Sequence, residues 1–96
     1  MITEQEKLIV TNLNRLISEA WLDGGDWGGG YYCNRENLEL QLKQVLDVLG
    51  LSDNWCVGVK AYDANGHVIA DIEKVAEHYF GEHFYGSALI VPKFAL

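Results

Sequence analysis

Between two stretches of helical apolar periodicity the chain carries Gly24-Gly25-Asp26-Trp27-Gly28-Gly29-Gly30-Tyr31-Tyr32, nine residues with five glycines and three aromatic rings. Glycine is a poor helix former, so this run stops the first periodic segment and forbids one long helix through the first half of the chain. Ordering glycine also costs more backbone entropy than ordering any other residue, and a folded domain keeps such a run for some return. The return suggested by the residues is recognition. Trp27, Tyr31 and Tyr32, with Trp21 and Asp26 beside them and Asn34 just beyond, suit contact with a partner protein or a small planar ligand.

On the N-terminal side, Thr3 and Glu6 have the spacing of a capping box, which predicts a helix from there to about Leu22. Ile9, Leu13, Leu16, Ile17, Ala20 and Trp21 form its apolar face, and Glu6, Asn14, Arg15, Ser18 and Glu19 its polar one. Gly24 or Gly25 suits the left-handed residue that closes it. Beyond the glycines, Asn34 is a favourable N-cap for a second helix whose stripe is Leu38, Leu42, Val45, Leu46 and Leu49, ending at Gly50.

The period then changes to two. Trp55, Val57, Val59 and Ala61 alternate with Cys56, Gly58, Lys60 and Tyr62, and Asp63-Ala64-Asn65-Gly66 supplies a hairpin turn. A two-residue turn at Asn65-Gly66 sets Lys60 opposite Asp71 and Ala61 opposite Ala70, with Val57, Val59, Ala61, Val68, Ala70 and Ile72 on one face; a three-residue loop with a bulge at Gly66 shifts the pairing by one. Ile72, Val75, Ala76 and Tyr79 return to helical spacing between a capping Asp71 and a terminating Gly81. Ala88-Leu89-Ile90-Val91, closed by Pro92, reads as a strand covered on both faces. The expected fold class is therefore α+β over residues 1–96 as one domain: two N-terminal helices, a β-hairpin, a short helix and a final strand completing a three-stranded sheet with helices packed on it.

Charge and cysteines narrow the function classes. Fourteen acidic against seven basic side chains give a net charge of −7, unsuited to direct nucleic-acid binding, which needs a basic surface. No apolar stretch reaches the roughly 20 residues of a membrane helix, and the start of the sequence lacks the basic and apolar regions of a signal peptide. The two cysteines, Cys33 and Cys56, form no Cys-x-x-Cys, and reduced thiols fit a cytoplasmic setting.

Chemistry-bearing motifs are sparse. His67, His78, His83, Cys33 and Cys56 have no metal-ligand spacing, so no metal or other cofactor is expected. Cys33 and Ser87 have no patterned histidine partner, the pairs Glu36/Glu39 and Glu73/Glu77 read as solvated helix faces, and no catalytic residue is assigned. The reading the residues favour is a non-enzymatic binding module that contacts its target through residues 21–32, with a homodimer inferred from the excess of apolar faces. The alternatives are a nucleotide or metabolite binder, or small enzyme, with a pocket framed by Trp27, Tyr31 and Tyr32, and an acidic inhibitor or immunity-type protein that docks a basic partner.

Overall fold

The computed structural model describes residues 2–23 and 35–96. Helix α1 spans Glu4–Asp23 and α2 spans Arg35–Leu49; strands β1 (Trp55–Val59), β2 (Ala61–Tyr62) and β3 (Val68–Ala70) precede helix α3 (Ile72–Phe80), strand β4 (Ala88–Pro92) and a closing 3₁₀ turn, Lys93–Ala95. The α+β class stands, with three helices and two small antiparallel sheets among the described residues.

The expected single three-stranded sheet is corrected. β1 pairs with β4, Val57 opposite Ile90, while β2 pairs only with β3. The reason lies at Asp71, whose side chain accepts the Glu73 N–H at 3.1 Å and starts α3 before β3 can extend alongside β1. Within the hairpin both expected registers hold in part. Asp63 N–H donates to His67 C=O around a three-residue loop with Gly66 at φ 82°, and a bulge between Ala61 and Tyr62 then returns Ala61 to its place opposite Ala70. The expected shared face does not form. Val68 and Ala70 are exposed, and Ile72 packs against Gly58, which alternates with Val57 along β1.

The helices keep their expected bounds, but two of their faces are corrected. Thr3 Oγ1 accepts the Glu6 N–H at 3.1 Å, the first half of the capping box, while the Glu6 carboxylate lies 3.5 Å from Asn54 Nδ2. Along α1, Asn14 and Ser18 are buried and Leu16 is 59% exposed, so the buried stripe runs Val10, Asn14, Ile17, Ser18. Asn14 explains the change of phase: its Oδ1 accepts the Ile90 N–H and its Nδ2 donates to the Ile90 C=O, both at 2.9 Å, so α1 lies along the outer edge of β4. In α2, Leu42 and Leu46 are buried, but Val45 and Leu49 remain exposed. Gly50, at φ 72°, closes that helix, with Gly50 N–H on Asp47 C=O and Leu51 N–H on Leu46 C=O.

Helices α1, α2 and α3 all pack on β4, which is buried at all five positions as a strand covered on both faces requires. Around it Val10, Leu46, Trp55, Ile72 and Phe84 build the core.

Candidate functional site

Of the residues expected to contact a partner, Trp21 lies on the last turn of α1 and is 41% exposed, next to Leu22 at 62%. Asp26, Trp27, Tyr31, Tyr32 and Asn34, together with Cys33, lie outside the described residues. The structure therefore places the root of the glycine segment.

That root rests against the segment between α3 and β4. Ser18, one turn before Trp21, accepts the Tyr85 N–H at 3.0 Å, and Ile17 packs on Gly86. Arg15 grips both carboxylate oxygens of Glu82, through Nε at 2.9 Å and Nη2 at 2.8 Å. This bond holds the Glu82 carboxyl below its ordinary range, against a smaller opposing effect of burial. Tyr85 emerges beside these contacts, 42% exposed, with its ring 4.5 Å from that of His83.

Behind this surface lies an ionic cluster that the pattern of acids did not reveal. Glu73, read from the sequence as solvated, keeps only 14% of its side chain exposed, because Lys60 Nζ and the Gly86 N–H both converge on its Oε2, at 2.6 and 3.1 Å. Burial pushes the Lys60 ammonium down, but the hydrogen bond and charge of Glu73, aided by Asp71 and Tyr62, outweigh it and hold Lys60 above its ordinary value. His83 sits between Glu73 and Glu77, 3.5 and 3.2 Å from their carboxylates. No local sequence pattern signals this cluster, because Lys60 enters it through its cross-strand position opposite Ser87 and not opposite Asp71 as the hairpin register predicted.

The arrangement is built to position backbone. Among the described residues, Ser87 Oγ is buried without a hydrogen-bond partner, so no base stands ready to activate it, and no group of three His, Cys, Asp or Glu side chains can hold a metal. Cys56 is a free thiol, pushed up by burial and drawn part of the way back by Lys93. Among the described residues no helix is long and apolar enough to cross a membrane.

At the opposite end of α1 a recess of about 500 Å³ is lined by residues that include Lys7, Asp53, Asn54, Tyr79, Lys93 and Phe94. Lys7 Nζ lies 5.1 Å from the Tyr79 ring centroid, and Phe94 meets the same ring edge-on at 5.8 Å. Burial and the charge of Glu4 push the Tyr79 hydroxyl up, so it stays a phenol at neutral pH.

No protein family, curated protein or solved structure matches this chain.

Proposed function

We propose that the chain is a non-enzymatic binding module that engages a partner protein through residues 21–32 and self-associates as a homodimer. The observation that carries the partner reading is the exposure of Trp21 and Leu22 on the last turn of α1, one turn beyond Ser18, which holds the backbone of the half-exposed Tyr85. Exposed aromatic rings are what interface anchors are made of, and burying them supplies much of the energy of a hot spot. The test compares wild-type protein with Trp21→Ala and, as a control, Leu40→Ala on the exposed face of α2. Trp21→Ala is expected to stay folded with a modestly lower melting temperature and to weaken capture of the partner by at least about tenfold, while Leu40→Ala captures normally. Equal capture by all three proteins overturns the reading.

A second reading, a binder of a small planar ligand, draws its support from the recess between Lys7 and Phe94 and not from the expected frame of Trp27, Tyr31 and Tyr32, which lies outside the described residues; the recess volume falls within the roughly 300–1,000 Å³ of small-molecule sites. Adenosine monophosphate and indole-3-acetate serve as planar anionic probes. A saturable rise in melting temperature that Phe94→Ala removes supports this reading, and no shift with either probe counts against it.

A further inference from the structure

The two edges of the β1–β4 sheet are treated differently. In the ladder, Lys93 N–H donates to Asn54 C=O and Lys60 N–H to Ser87 C=O, each at 2.9 Å, so the even-numbered residues of β1 face β4. Val57 and Val59 therefore turn their N–H and C=O groups to the outer edge. On β4 the corresponding edge is closed, because Asn14 takes both backbone groups of Ile90 and Pro92 has no N–H to offer. On β1 only the Trp55 N–H is occupied, by Leu51 C=O at 3.1 Å; among the described residues nothing pairs with Val57 or Val59 along that edge. Among the described residues, the outward backbone groups of Val57 and Val59, in a strand Trp-Cys-Val-Gly-Val without a charge or a proline, form a template for one more strand.

We propose that the strand it takes is β1 of a second copy, paired antiparallel about a twofold axis at Val57. In this register Val57 exchanges both backbone hydrogen bonds with its counterpart, and each Val59 N–H donates to the other copy's Trp55 C=O. Self-pairing is favoured by the sequence of the edge itself. No charged residue lies between Trp55 and Val59, and the first one beyond, Lys60, falls opposite Asn54, so no like charges face each other. The product is a continuous sheet in the order β4-β1-β1-β4, which relieves the marginal stability of a two-stranded sheet.

The helices fit the same geometry. A twofold axis normal to the sheet keeps both copies of α2 on one face. Because α2 packs on both β1 and β4, and strands lie about 4.8 Å apart, the two helix axes come roughly 10 Å apart, within packing distance. Val45, Val48 and Leu49, left exposed in the single chain, supply the apolar surface for that contact. This deepens the self-association part of the proposed function and is independent of the Trp21 surface.

The test is sedimentation of the full chain from low to high micromolar concentration, with amide hydrogen exchange read at Val57 and Val59. A dimer is expected in which both amides gain protection as concentration rises. Val59→Pro removes an outward N–H, and Val48→Glu changes a position that is 86% exposed and so leaves the fold intact; each is expected to raise the dissociation constant at least about tenfold. Trp21→Ala is expected to dimerise normally, which separates failure here from failure of the partner reading. A monomer at every concentration overturns the proposal. So does a dimer in which Val57 and Val59 exchange as fast as in the monomer, or a monomer that captures an extended peptide on this edge.

Discussion

Asn14 has the most consequential polar side chain in the core. Its amide imitates a neighbouring strand by serving the N–H and the C=O of Ile90 at once. Asn14→Ala removes both bonds and leaves two backbone groups buried without partners, a loss expected to cost about 2–4 kcal/mol in urea unfolding. Asn14→Asp keeps the acceptor but turns a negative charge toward the Ile90 oxygen, and is expected to be at least as harmful at neutral pH. Sequence periodicity set Asn14 on the polar face because hydropathy ranks a side chain by its preference for water, whereas this amide is buried for the backbone it bonds. A second residue-scale expectation concerns Lys60. Its folded value is raised above 10.5, so the stability it contributes is fully present below that pH and is lost as pH climbs through the raised value. Glu73→Gln retains the shape but removes the charge. The wild-type protein is therefore expected to lose stability above about pH 10.5 more steeply than Glu73→Gln does, measured by thermal melts in carbonate and phosphate buffers.

At the scale of elements, local signals carried far. The Thr3 cap, the Asp71 cap and the Gly50 and Gly81 stops placed the helix ends, because capping and left-handed glycine are decided within a few residues. Strand pairing was less legible: β1 meets β4 across 28 intervening residues, and no turn signal links them. One residue does record that long-range geometry. Gly58 lies where a methyl group would overlap Ile72 Cδ1, so its absence of side chain is what lets α3 approach the strand. Gly58→Ala is expected to destabilise by about 1–3 kcal/mol through overpacking. Ile72→Val deletes the clashing Cδ1, so in the double variant the combined loss is expected to be smaller than the sum of the single ones. Additive losses in a double-mutant cycle would show that the strand and helix are not in the close contact described.

For the molecule as a whole, the α+β class was readable from the sequence; of the expected site residues only Trp21 lies among the described ones, and the contacts of Glu73 with Gly86 and of Tyr85 with Ser18 are tertiary ones that no local pattern encodes. Net charge becomes informative when two copies meet. Each chain carries −7, so a homodimer assembles against mutual repulsion, and the proposed β1 interface contains no ion pair to offset it. Screening should then assist association. Adding salt shortens the Debye length from about 30 Å at 0.01 M to about 8 Å at 0.15 M, which weakens repulsion between the two surfaces while leaving backbone hydrogen bonds and apolar contacts largely untouched. The dissociation constant measured by sedimentation is therefore expected to fall severalfold over this range of sodium chloride. A rise instead would mean that the copies are held by complementary charges, and would move the interface away from the uncharged edge of β1 to a surface where acidic and basic side chains meet.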